Sequence, residues 1–174
     1  MNTLGCIIMC YGITKDPETN NFMMVMDYAK DGNLRQCLNK RFSSMNWYMK
    51  FDILREIAFG LSDIHEKGLI HQDFHSGNIL CDSAYLITDL GLCKPADEKS
   101  EKNVYGVLPY VAPEVLRGKE YTQASDIYGF GIIIYEVFNG LPPYHDVVHD
   151  ELLAIKICQQ GLQLDQNLES RYLN

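Results

Sequence analysis

Apolar residues along this chain follow two different periods, and the change from one to the other marks its elements. Residues 6–14 and 22–28 are apolar and β-compatible, and Lys15-Asp16-Pro17-Glu18-Thr19-Asn20-Asn21 between them is a cluster of turn formers. A hairpin is predicted. Phe22-Met23-Met24-Val25-Met26 reads as a core strand rather than a binding face, and Leu4 to Tyr11 as a buried strand. Trp47, Phe51, Leu54, Ala58, Leu61 and Ile64 then recur at three- and four-residue steps, which predicts a long amphipathic helix with these residues on one face. Asn46 can cap its start, while Lys67 and Gly68 supply a dipole partner and a stop. Before it, Asp31-Gly32-Asn33 breaks the hairpin strand, and Asn33 can cap a short helix through Asn39.

Two short strands are expected at Ile79-Leu80-Cys81 and Tyr85-Leu86-Ile87-Thr88, flanking a turn at Asp82-Ser83. From Asp126 to Asn139 the sequence is apolar on nearly every side, the pattern of a helix surrounded by protein. Gly140 and Pro142-Pro143 end it, and Asp150 can cap a last helix that stops before Gly161. The fold class is α+β: a mostly helical body preceded by a β-hairpin.

Composition narrows the function. With 174 residues, 47% apolar and 22% charged, the chain suits one soluble domain with a real core. A net charge of −8 disfavours nucleic acid and anionic membrane as partners, since both demand basic patches. The longest apolar runs, such as Ile132-Ile133-Ile134, fall far short of the roughly 20 residues that span a bilayer. Leu4 to Tyr11 has neither a basic flank nor a small-residue cleavage site, so a cytoplasmic location is expected. Cys6, Cys10, Cys37, Cys81, Cys93 and Cys158 lack zinc or disulfide spacing and read as reduced thiols, with Cys93 the candidate for reactivity. His145-Asp146 and His149-Asp150 have an i, i+4 interval suited to zinc on a helix, but Pro142-Pro143 just upstream predicts a loop.

The chemistry concentrates in His71-Gln72-Asp73-Phe74-His75-Ser76-Gly77-Asn78, where an aspartate precedes an asparagine by five residues and Asp89 follows eleven further on. The flanking strands would put Asn78 and Asp89 at neighbouring strand ends. One amide and one carboxylate oxygen suit Mg²⁺, which is usually held by a few protein groups plus substrate phosphates. Asp89-Leu90-Gly91, Ala112-Pro113-Glu114, Met26-Asp27-Tyr28-Ala29 and Ser125-Asp126-Ile127-Tyr128-Gly129-Phe130-Gly131 complete the set.

In this order these motifs resemble those of protein kinases, specifically the tyrosine-kinase-like group of Ser/Thr kinases, over residues 5 to 161. The resemblance implies transfer of the ATP γ-phosphate to a Ser/Thr hydroxyl of a protein substrate. Asp73 would be the catalytic base, with His75 and Asn78 as its catalytic-loop companions, and Asn78 and Asp89 would hold Mg²⁺. The Asp27 carbonyl and the Ala29 backbone would meet the adenine edge, Leu80 would pack below the adenine, and Asn33 would lie near the ribose. Met26 falls at the gatekeeper position. His71 would be structural, bonded toward Asp126. Residues 1–161 would form a partial kinase domain, with 1–29 as N-lobe hairpin and hinge, 30–161 as C-lobe and 162–174 as a short polar tail. Further helices, and an arginine to pair with Glu114, are not expected from that tail.

Several features depart from the family pattern. No Gly-rich loop or phosphate-gripping lysine precedes the hinge, and Lys15 falls in the hairpin's polar turn. That departure supports an alternative, a catalytically silent, pseudokinase-like module that holds protein partners. A small-molecule phosphotransferase of the aminoglycoside type shares the loop but would not carry Ala112-Pro113-Glu114 or the Asp126 helix. His75 replaces the lysine that neutralises the γ-phosphate, and an imidazole of ordinary pKa, about 6.5, is mostly neutral at cytosolic pH. Val107 replaces a hydroxyl residue that contacts the catalytic Asp. Gln72 replaces the arginine that pairs with a phosphorylated activation loop, a bond worth about 1.5–3 kcal/mol when charge-assisted. Turnover is therefore expected to be independent of phosphorylation at Ser100 or Tyr105; a marked rise in turnover on modifying either would contradict this.

Overall fold

Asp16 folds the first turn by drawing its neighbours inward. Its carboxylate accepts from the Glu18 amide at 2.9 Å and the Thr19 hydroxyl at 2.6 Å, and Asn20 takes the left-handed conformation that Asn tolerates. The computed structural model describes residues 6–96, 104 and 106–160. Within it, β1 (Cys10–Lys15) pairs antiparallel with β2 (Phe22–Met26), Lys15 facing Phe22. The hairpin is as predicted, but Phe22–Met26 is not a core strand. Every residue of both strands is exposed, Phe22 at 78%. The sheet has only two strands, so neither face has a layer to bury against among the described residues. The preceding segment reaches the body where Ile7 bridges Ile87. Cys6 to Ile8 are half-buried and Met9 to Tyr11 exposed, so the buried strand expected there is not buried among the described residues, and Leu4 lies outside them.

Helix α1 (Leu34–Arg41) starts with a capping box: Asn33 accepts from the Gln36 amide, and the Gln36 side chain accepts from the Asn33 amide, both at 3.0 Å. Asn46 caps the long α2 (Trp47–Glu66) in the predicted way. Its buried stripe is Lys50, Ile53, Leu54, Ile57, Leu61 and Ile64, turned from the predicted face, which leaves Trp47 and Phe51 largely exposed. These two rings instead stack on Phe138 from the side. Lys50 is tolerated inside because its ammonium lies 4.0 Å from the Phe42 ring centroid and donates to the Phe138 carbonyl at 3.3 Å.

Beyond Gly68, which adopts φ +71°, β3 (Leu69–Ile70) pairs with β6 (Lys94–Pro95) and β4 (Ile79–Cys81) with β5 (Tyr85–Ile87). The short α3 (Pro113–Leu116) follows, then α4 (Gln123–Asn139), opened by a Thr122–Ser125 capping box and closed by Gly140 at φ +81°. Asp150 caps α5 (Glu151–Gln160) by accepting from the Leu152 and Leu153 amides. Ile57, Ile64, Ile79, Ile87, Ile132, Ile133 and Val137 form the centre of the core, so α2, α4 and the β4–β5 pair share one apolar interior. Helix α4 is not enclosed on every side: Ala124, Ile127 and Gly131 form an exposed stripe. No described helix is long and apolar enough to cross a membrane.

Two glycines of α4 separate packing from propensity. A Cβ on Gly129 would stand 2.6 Å from the Phe74 carbonyl oxygen, a backbone atom, whereas one on Gly131 meets nothing within 4 Å. Gly129→Ala is expected to destabilise by at least roughly 2 kcal/mol in urea unfolding, and Gly131→Ala to stabilise by about 0.5–1 kcal/mol. Equal effects would contradict this packing of α4 on the loop at Phe74.

Candidate active site

The first turn of α4 holds the loop that carries the chemistry. Asp126, 2% exposed, accepts from the backbone amides of His71 at 2.8 Å and Gln72 at 3.0 Å, and its Oδ2 also meets His65 Nε2 at 2.9 Å. The amides of a strained loop thereby find a buried acceptor: Gln72 has φ +70°, an unfavourable conformation for a side chain with a Cβ. The expected bond from His71 toward Asp126 is made by its backbone, not its ring. The ring is fully buried and its Nε2 meets the Thr88 carbonyl at 3.0 Å, while its Nδ1 accepts from the Asp73 amide at 3.3 Å. His71 is structural as expected, but it ties the loop to the end of β5.

That tie brings three predicted residues together. Asn78 Nδ2 donates to the Asp73 carbonyl at 2.9 Å and to Asp73 Oδ2 at 3.2 Å. His75 Nε2 stands 3.4 Å from Asp73 Oδ1, longer than a well-formed hydrogen bond, and Oδ1 is buried with no hydrogen-bond donor among the described residues. The His75 contact, chiefly, holds the Asp73 carboxyl below the usual carboxylate range against the opposing effect of burial. Asp89 follows directly on Thr88, whose amide bonds the Asn78 carbonyl at 3.0 Å, so Asn78 and Asp89 do lie at adjoining strand ends. Asp89 is exposed and left-handed at φ +58°, a conformation that aims it away from the regular β5 line.

A buried network beneath the loop was not read from the sequence. Glu136 of α4 is 0% exposed and lies 2.5 Å from Arg35 Nε of α1. Its Oε2 accepts from the Tyr110 hydroxyl, which also receives Arg35 Nη2 at 2.7 Å and lies 3.2 Å from Ser76 Oγ. The four groups join α1, the Asp73 loop, the 108–110 turn and α4. The available signal was a lone glutamate ten residues after Asp126 in an otherwise apolar helix, which demands a buried partner.

Comparison with known proteins gives this constellation a lineage. The family described as protein kinase domain matches residues 3–172. The chain is 31% identical over 164 residues to a probable serine/threonine-protein kinase of Dictyostelium discoideum, covering 92% of the chain and 16% of that protein. It is 32% identical over 145 residues to the L-type lectin-domain containing receptor kinase S.1 of Arabidopsis thaliana, covering 78% and 22%. It is also 35% identical over 130 residues to the serine/threonine-protein kinase CLA4 of Candida albicans, covering 72% and 13%. The chain belongs to the protein kinase family. It spans less than a quarter of the length of these three curated relatives.

Of the residues expected to meet the nucleotide, Leu80 and Asn33 are adjacent, joined by an antiparallel bridge, with the Cys81 amide bonded to the Gly32 carbonyl at 2.8 Å. The Asn33 carboxamide is committed to capping α1. Asp27 accepts from the Tyr11 hydroxyl and its amide bonds the Met9 carbonyl, while the Ala29 carbonyl closes a turn with Gly32. Lys15 lies at the far end of the hairpin, 5.6 Å from the Phe22 ring centroid.

Other candidates resolve without chemistry. Burial, foremost, pushes the Cys93 thiol up to about 11, which opposes the reactivity expected of it. His145 and His149 meet the Pro142 and Tyr144 carbonyls, and no metal-ligating cluster of His, Cys, Asp or Glu occurs among the described residues. No ion pair to Glu114 occurs among those residues either. Ser100 and Tyr105 lie outside them.

Burial, foremost, holds His71 below the ordinary histidine pKa. The unfolded chain then takes up a proton near pH 6.5 that the folded chain refuses, so stability falls as pH drops below about 6.5. Urea unfolding from pH 8 to 5 is expected to show that loss in the kinase domain and a smaller one in His71→Asn. The same slope in both would remove His71 as the cause.

Proposed function

We propose that this kinase domain transfers the γ-phosphate of ATP to a Ser or Thr hydroxyl of a protein substrate, with Asp73 receiving the hydroxyl proton. The observation that carries this reading is the Asp73 carboxylate, held through Oδ2 by the Asn78 side chain and facing His75 across Oδ1. The depressed pKa of Asp73 keeps it ionised at neutral pH, the form that accepts a proton. The relatives named as serine/threonine kinases support the choice of hydroxyl.

Asn78 and Asp89 fit Mg²⁺. Donation from Nδ2 to Asp73 leaves the Asn78 side-chain oxygen as the atom suited to a hard cation, and the exposed Asp89 adds a carboxylate. Bound with ATP, the metal would neutralise charge on the phosphates. Leu80, with Asn33 beside it, and the Asp27–Ala29 backbone are assigned to the adenine and ribose side.

A second reading, a non-catalytic module that binds proteins, is favoured by Lys15, which packs on Phe22 at the far end of the hairpin. Thermal unfolding with and without Mg²⁺·ATP separates the two, using Asp89→Ala as control. Ligand at a hundredfold its Kd stabilises the native state by about 2.7 kcal/mol, so a metal-dependent rise in Tm that the variant loses is expected. No shift in a well-folded sample would favour the second reading.

A further inference from the structure

We infer that His75 and Gly77 act as one unit: the Gly77 amide fixes the His75 tautomer so that its Nε2–H faces and orients the unpaired oxygen of Asp73. This deepens, and rests on, the assignment of Asp73 as base.

A backbone N–H can only donate. The Gly77 amide lies 3.0 Å from His75 Nδ1, so Nδ1 must carry a lone pair, and the proton of the neutral ring sits on Nε2. That nitrogen is the one 3.4 Å from Asp73 Oδ1, the carboxylate oxygen with no other donor among the described residues. The opposite carboxylate oxygen is already held by Asn78. The two side chains therefore grip the carboxylate from its two ends, one through a formed bond and one through a contact poised to shorten. Catalytic hydrogen bonds are often long before substrate arrives.

Gly77 contributes more than its amide. A Cβ there would lie 2.7 Å from His75 Cε1 and 2.8 Å from Nδ1, so any other residue pushes the ring out of its seat. Gly77 is not among the residues with positive φ, which means that its backbone does not itself require glycine. The absence of a side chain serves the ring. The imidazole also lies near Tyr110, ring centroids 5.8 Å apart, and Tyr110 is fixed by the Glu136 network. His75 is then a positioning residue for Asp73, taking the place of a cation with a neutral, directional donor.

Nitrogen chemical shifts of the His75 ring test the contact without any turnover. In ¹⁵N-histidine-labelled protein at neutral pH, the expected pattern is a protonated Nε2 and an unprotonated Nδ1. Gly77→Ala should lose that pattern, and Asp73→Asn should shift the Nε2 resonance. A ring protonated on Nδ1, or a Gly77→Ala spectrum unchanged at His75 in a folded protein, would overturn the inference. For the consequence, initial rates with Mg²⁺·ATP and a Ser/Thr peptide should show His75→Ala lowering kcat roughly tenfold or more, with KM for ATP within about twofold. His75→Gln, which keeps an N–H, should recover part of it. Gly77→Ala should cost nothing further in the His75→Ala background. Equal losses in Ala and Gln variants would refute the donor role. No transfer by the wild-type chain would refute the proposed function, and the resonances would then decide the contact by themselves.

Discussion

A single buried carboxylate, Asp126, sets the geometry on which the rest of this kinase domain depends. Its oxygens receive the amides of His71 and Gln72 and the ring of His65, and it stands in the first turn of α4, where the helix dipole favours a negative group. Two consecutive loop amides pointing at one side chain require an irregular backbone, which Gln72 supplies at a conformational cost. Once that is met, the next residue, Asp73, is delivered to Asn78, and the His71 ring locks the loop to β5. Core packing supports the arrangement from below, because Gly129 lets α4 approach the loop backbone at Phe74.

The electrostatics of the site are unusual in one consistent direction. The loop presents an amide at Gln72 and an imidazole at His75. Arg35, which reaches Ser76 of the loop, is turned inward to Glu136 and Tyr110. Burying that pair is not itself a strong source of stability, since desolvation offsets most of the attraction. Its consequence is order: it fixes Tyr110, and Tyr110 bounds the space in which His75 can sit. In the proposed reaction, stabilisation of developing charge, the largest contribution to phosphoryl transfer, would fall on the metal assigned to Asn78 and Asp89.

Much of this was legible in the sequence, and the exceptions share a cause. Caps and stops such as Asn33, Asn46, Gly140 and Asp150 act locally, and each does what its chemistry predicts. The Asp73–Asn78 spacing translated into a direct hydrogen bond, and Asp89 follows the residue whose amide bonds Asn78. Burial was harder, because it depends on which element arrives opposite. Phe22–Met26 has the composition of a core strand and no layer to pack on, and the α2 stripe rotated away from Trp47 and Phe51. The Arg35–Glu136–Tyr110–Ser76 network escaped because its members are far apart in sequence and each is unremarkable alone. The same is true of Gly77, whose role shows only against the ring beside it.

Amide hydrogen exchange at His71 and Gln72 tests the central role of Asp126 most directly. If the carboxylate anchors the loop, both amides should exchange only through global unfolding, with protection matching core amides of α4 such as Ile133. Exchange at rates typical of an open loop, while the α4 amides stay protected, would contradict the account.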